Sequence, residues 1–225
     1  MIIKSFNINE INLKYFVGIN QIKINSGKLL DLYDIDNQEE ALTRFFSIIN
    51  KVQNNNENSV IQFIKDKYIL NQDHIFTACY YLLKAFQQNI NISNKKNIEF
   101  LLYLAANRQI NKSIEAIGID YSQLIHNKLT LCIISPFENI NSTCAELLTI
   151  LNAVETELTI NNQSQTKFNL IKEFFRITDN QINSVLKSYG NEMKKSSETK
   201  LSSLFSALFD LICERMALLN AERKK

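Results

Sequence analysis

The chain has 225 residues, of which 45% are hydrophobic and 21% charged, with a formal net charge of +2 at pH 7. That length fits one large domain or, second, two small ones, and the apolar content supports an ample core needing neither disulfides nor a structural metal. So small a net charge neither demands nor excludes nucleic acid, and any basic surface has to be local.

Only 4 glycines and 1 proline are present. Gly18, Gly27, Gly118 and Gly190 are never near one another, which argues against a phosphate-cradling loop, where clustered glycines let backbone N–H groups approach the ligand. Cys79, Cys132, Cys144 and Cys213 lie far apart, without a C-x-x-C pair, on the apolar phase of their segments. They read as buried free thiols. With His74 and His126 the only histidines, no metal set and no cofactor are expected. No apolar run approaches the roughly 20 residues of a membrane span, and the start "MIIKSFNINE" lacks the long apolar core of a secretory signal. A cytoplasmic location is expected.

In chain order, "YFVGINQIKI" (Tyr15–Ile24) alternates and is rich in β-branched and aromatic residues, which predicts a strand. Ala41, Leu42, Phe45, Phe46 and Ile49 recur at helical spacing and predict a helix over Glu39–Val52. The polar "NNNENS" breaks the chain before a strand over Val60–Leu70. A helix then runs through "DHIFTACYYLLKAFQQ", capped by Asp73, burying Ile75, Phe76, Cys79, Leu82, Leu83 and Phe86. Two further helices cover Lys95–Ala106 and Ile110–Ile117, the second closed by Gly118. A short strand, Lys128–Ser135, stops at Pro136. Thr143 and Glu146 have the spacing of a capping box opening the next helix. "NNQSQT" (Asn161–Thr166) reads as a loop. Helices follow in "FNLIKEFFRI" and in "DNQINSVLKSYG", the latter with Thr178 and Gln181 as a second capping box. A last helix spans Leu201 to about Ala221. The order predicts an α+β fold, a single domain over residues 1–225 with a small, mostly antiparallel sheet covered by several helices.

No G-x-S-x-G, H-E-x-x-H or close carboxylate set appears, and Glu39-Glu40 reads as a solvated helix start, so the chain is not read as an enzyme. A thiol enzyme would need a Cys–His pair assembled from distant residues. Two features suit binding. Arg108 and Gln109 sit at a helix–helix corner. One reading aims the guanidinium at phosphate and the amide at a base edge; the other has Arg108 tying the corner through free helix-end carbonyls. The stripe His74, Thr77, Tyr81, Lys84 and Gln88 opposes the apolar face of its helix. It reads either as a stacking surface beside a phosphate contact or as an ordinary solvated face. Lys95-Lys96, Lys194-Lys195 and the terminal "ERKK" add local positive charge, which serves solubility equally well.

"HIFTACYYLLKAF", "IEFLLYLAANRQINKSIEAIGI" and "FDLICERMALLNAERK" together resemble the small kinase-binding subunit of the KEOPS complex, the TPRKB-like family, in its archaeal form. The matching positions are Glu99, Leu101, Leu102, Tyr103, Arg108, Gln109, Ile110, Ala116, Ile117 and Gly118. In the last block they are Glu214, Arg215, Ala217, Leu218 and Leu219. "FNLIKEFFRITDNQI" resembles the segment before the family's final helix. The chain is longer than compact members, with insertions expected near 36–59, 156–166 and 191–199, and Ser113 stands where a small apolar residue is usual.

The resemblance implies a small sheet packed with helices and a non-catalytic role in threonylcarbamoyladenosine modification of tRNA. It implies binding to the kinase-like ATPase subunit of KEOPS, with the rest of the complex reached indirectly, and a grip on the single-stranded 3′ CCA end of tRNA. Arg108 and Gln109 become the expected tRNA contacts or supports, with Lys84, His74 and Tyr81 as neighbours. The kinase-like partner is expected to meet an apolar patch on the final helix, with Phe209, Met216 and Arg215 as contacts. The alternative is a protein-interaction module that activates the kinase-like subunit without binding RNA.

Overall fold

A computed structural model describes residues 1–25, 38–126, 128–189 and 197–219. Strands β1 (Ile2–Ile8) and β2 (Leu13–Ile24) are joined through a 3-10 turn, and helix α1 (Gln38–Asn55) leads to β3 (Val60–Ile64). Helices α2 (Gln72–Gln87), α3 (Lys96–Ala105), α4 (Ile110–Ile117) and α5 (Tyr121–His126) precede β4 (Leu129–Ser135). Then come α6 (Ile140–Ile150), β5 (Ala153–Glu155), α7 (Gln165–Phe174), α8 (Asp179–Ser188) and α9 (Ser197–Leu218). The class is α+β, as the element order implies. The chain forms two compact units, each made from two stretches of sequence: residues 1–66 with 118–159, and residues 67–117 with 160–225.

The first unit holds the 5-stranded sheet, in the order β1-β2-β4-β3, with β5 also paired to β2. Every pairing is antiparallel. Strand β2 pairs β4 from Phe16↔Ser135 to Ile22↔Leu129, and its far end takes β5 at Ile22↔Glu155. Phe16, Ile22, Phe63, Leu131 and Ile133 of the sheet share a core with Phe45, Ile49 and Val52 of α1 and with Ile140, Cys144 and Leu147 of α6. Phe45 meets Phe63 edge-on with ring centroids 5.2 Å apart. Gly18 gives α6 its close approach: a Cβ there would stand 2.3 Å from Cγ2 of Ile140.

Several expectations shift. The strand expected over Val60–Leu70 stops at Ile64, and the apolar Ile69 and Leu70 are buried outside it, at 0% and 1% exposure. An apolar run reports burial whatever the backbone is doing. Strand β5 and the short α5 carried too few residues to be read, whereas β1, as long as β4, escaped because Ile2 and Ile3 are adjacent and Lys4 shares the inward phase of Phe6 and Ile8. Gly118 does not simply end α4: it forms an antiparallel bridge with Ile64. The stretch 36–59, expected as an insertion, contains α1, whose buried face is part of the core. Of the insertion expected near 191–199, residues 191–196 lie outside the described residues.

Helix starts divide the same way. Thr178 and Gln181 form the expected reciprocal capping box on α8. Thr143 does not cap α6, which begins three residues earlier at Ile140; its hydroxyl instead donates to Oδ1 of Asn56 at 2.9 Å. Helix α2 is capped by Asn71, whose side chain accepts from the His74 N–H, while Asp73 lies in the first turn. Asp73 is still well placed there, because a carboxylate complements the partial positive charge of the helix start.

The second unit is helical. Its buried side chains include Phe76, Cys79 and Leu82 of α2, Phe100–Ala105 of α3, Ile171 and Phe175, and Leu208, Ile212 and Met216 of α9. All the candidate site residues belong to this unit.

A polar corner between α3 and α4 as the candidate functional site

Helix α3 ends because Ala106 turns into the left-handed region at φ 43°. The Asn107 N–H then returns to the Leu102 carbonyl at 3.0 Å, which is the closing bond of a Schellman-type cap. The Asn107 side chain accepts from the Gln109 N–H at 2.9 Å. The Gln109 carbonyl receives the Ser113 N–H at 3.0 Å and so starts α4. Ser113 is fully buried, and its hydroxyl lies 3.2 Å from the Asn107 carbonyl and 3.1 Å from the Gln109 carbonyl. The residue that departs from the family pattern thus closes the corner. Asn107 was not singled out from sequence, and Ser113 was noted only as a departure from the family pattern, not for the bonds it makes. The signal was an Asn three residues before the next helix and a hydroxyl in its first turn.

Arg108 is half-buried, and its Nη1 donates to the Leu219 carbonyl at 2.9 Å. This is the corner-tying arrangement, with the carbonyl supplied by the end of α9. Gln109 is exposed, and its side-chain amide makes no hydrogen bond among the described residues. Glu99, upstream in α3, is fully buried and accepts from the N–H groups of Ile92 and Ser93 at 2.9 and 2.7 Å. The segment before α3 is therefore clasped to its first turn.

His74 does not present itself to a ligand. It is fully buried, with Nδ1 accepting from the Leu70 N–H and Nε2 directed at the Leu104 carbonyl, both at 3.1 Å. Those partners fix a neutral ring with the proton on Nε2. Burial lowers its pKa to about 4. The expectation that His74 joins a tRNA surface is corrected: on α2 burial reaches His74, Ala78 and Ala85, beyond the stripe read from large apolar residues.

Tyr81 and Lys84 remain half-buried on α2. Tyr81 stacks on Tyr103 with centroids 5.7 Å apart, and burial raises its phenol pKa. Lys84 donates to the Tyr80 hydroxyl at 3.2 Å and lies 5.4 Å from the centre of the same ring. Burial pushes the Cys213 thiol up to about 11, with Thr77 as its hydrogen-bond partner. Cys213 is thus held as a thiol, and both ring nitrogens of His74 are engaged. Among the described residues, no group of His, Cys, Asp and Glu could hold a metal ion.

On α9, Met216 is fully buried, so its expected place in a partner contact is corrected. Phe209 is half-buried, and Arg215 donates through Nη2 to the Arg176 carbonyl at 3.1 Å. The exposed residues of the helix are Lys200, Ser202, Ser206, Asp210, Glu214, Ala217 and Leu218, polar along most of its length and apolar at its end. Lys194, Lys195 and the final basic residues lie outside the described residues. No described helix is long and apolar enough to cross a membrane.

A comparison with curated proteins finds no match. The sequence profile of the family described as kinase binding protein CGI-121 matches residues 21–220, which takes in the α3–α4 corner and the end of α9. The chain belongs to the CGI-121 family of kinase-binding proteins.

Proposed function

We propose that the protein is a non-catalytic KEOPS subunit of the cytoplasm. It binds the kinase-like ATPase subunit and recruits tRNA through the 3′ CCA end, in support of threonylcarbamoyladenosine modification. The observation that carries this reading is the match to a kinase-binding family over residues 21–220. The tRNA part is supported by the α3–α4 corner, where an exposed Gln109 amide stands on a backbone held rigid by Asn107, Ser113 and Arg108. Tyr81 and Lys84 offer the half-exposed ring and cation that single-stranded RNA uses. Phe209 and Arg215 remain the α9 residues proposed to meet the kinase-like subunit.

A second reading is a protein-interaction module that activates the kinase-like subunit without touching RNA. It is favoured by His74 being buried and by Arg108 donating to a backbone carbonyl. Titrating the protein with the purified kinase-like subunit, and separately with intact tRNA, decides between them. The first reading predicts saturable binding of both, and the second of the kinase-like subunit alone.

A further inference from the structure

The sheet of the first unit runs from an edge at β3 to an edge at β1, and the two are finished differently. On β3 the Ile61 N–H is given to Oε1 of Gln53 at 2.8 Å, and Ile64 bridges to Gly118. The Gln53 bond also fixes which way each strand points its backbone, because hydrogen-bonded and open pairs alternate along an antiparallel ladder. With the Ile61 N–H turned away from β4, the registers carry that alternation through β4 and β2 to β1. Ile2, Lys4, Phe6 and Ile8 bond β2, and Ile3, Ser5 and Asn7 turn their N–H and C=O groups outward. Gln21 agrees with this phase: its carbonyl, on the β1 side of β2, accepts from the Thr156 N–H at 2.7 Å.

Among the described residues nothing pairs with the outward row, and the side chains of Ile3, Ser5 and Asn7 are exposed. The same edge continues along β2 into β5, and Met1, Ile3 and Val154 are large apolar side chains left exposed on it. An open edge of this kind is a template for another strand.

We infer that β1 is a dimer edge, pairing antiparallel with β1 of a second copy about a two-fold axis at Ser5. The occupant follows from the strand's complementarity to itself. An axis at Ser5 sets Ile3 against Asn7 and Ser5 against Ser5, so each outward N–H meets an outward carbonyl. It sets Ile2 against Ile8 and Lys4 against Phe6, apolar on apolar and cation on ring. All 7 residues of β1 then pair, and no like charges meet. An axis at Lys4 would bring two lysines together, and one at Phe6 would leave Ile2 and Ile3 unpaired.

Sedimentation of the full chain over a concentration series, with amide exchange of β1 followed by NMR, tests this. The wild type is expected to dimerise, with the Ile3, Ser5 and Asn7 amides protected as the dimer fills. Ser5→Pro removes only an outward N–H, so the β1–β2 ladder and the circular dichroism should survive. Its dimer dissociation constant should rise by about tenfold or more. Ser5→Lys keeps the backbone and sets like charges across the axis, and should weaken the dimer even if the proline variant unfolds. Ser5→Cys should crosslink to itself under mild oxidation, whereas Asn7→Cys, which faces Ile3, should not. A wild type that stays monomeric at every concentration overturns the inference. Protected β1 amides in that monomer would mean that the same chain covers the edge, and exchanging ones that it is left for a strand of another protein. A dimer unmoved by Ser5→Lys, or crosslinked equally through Asn7→Cys, overturns it too.

Discussion

Arg108 and Leu219 lie 111 residues apart in sequence, yet Nη1 of one donates to the carbonyl of the other at 2.9 Å. The bond closes the end of α9, whose last carbonyls have no partner within the helix. It also joins two of the sequence blocks on which the family resemblance rests. A hydrogen bond from a charged donor to a half-buried carbonyl contributes about 1.5–3 kcal/mol. Arg108→Ala should therefore lower stability by about 1–2 kcal/mol, around and below the low end of that range because the site is half-exposed. Urea unfolding followed by circular dichroism checks this, with Arg108→Lys falling between variant and wild type. An Arg108→Ala midpoint equal to wild type would show that the bond is idle.

His74 gives the protein a pH dependence. Its folded-state pKa of about 4 lies below the ordinary 6.5, because the buried ring stays neutral between Leu70 and Leu104. Between those values the unfolded chain binds the proton and the folded one does not. Stability is therefore fully present above pH 6.5 and is lost as pH falls towards 4, by about 3 kcal/mol in all. His74→Gln should be less stable than wild type at pH 7 and show a flatter decline from pH 7 to pH 4.5. Parallel declines would mean that the titrating group lies elsewhere.

Gly18 is the position where α6 rests on the sheet. An added Cβ would meet Cγ2 of Ile140 at 2.3 Å, so strand or helix has to move. Gly18→Ala should cost about 1–3 kcal/mol as an overpacking change. Ile140→Ala, which removes that methyl, should cost about 2–5 kcal/mol alone by leaving a cavity. The double variant should be more stable than the sum of the two, since each relieves the other. Strict additivity in a double-mutant cycle would contradict the contact.

The helices were legible where apolar residues recur at 3.6 spacing, and the α3–α4 corner was legible because its two helices are separated by a polar break. What escaped detection was set by tertiary demands. Ile69 and Leu70 are apolar for packing rather than for strand pairing. His74 was read as a surface residue because its period placed it opposite the large apolar side chains, but small Ala78 and Ala85 widen the buried face. Met216 was read as a partner contact, but it is buried with Leu208 and Ile212 of the same helix. Arg108 was read as a corner residue with two readings. The bond it makes reaches Leu219, which no local pattern connects to it.

The proposed recruitment of tRNA is tested most directly by filter binding of the protein to intact tRNA and to the same tRNA stripped of its 3′ CCA. The account predicts saturable binding to the intact molecule and a loss of at least tenfold on trimming, as expected when stacking and base-edge contacts worth about 1–3 kcal/mol each are removed. Equal affinity for the two RNAs, or no measurable binding to either, would contradict it.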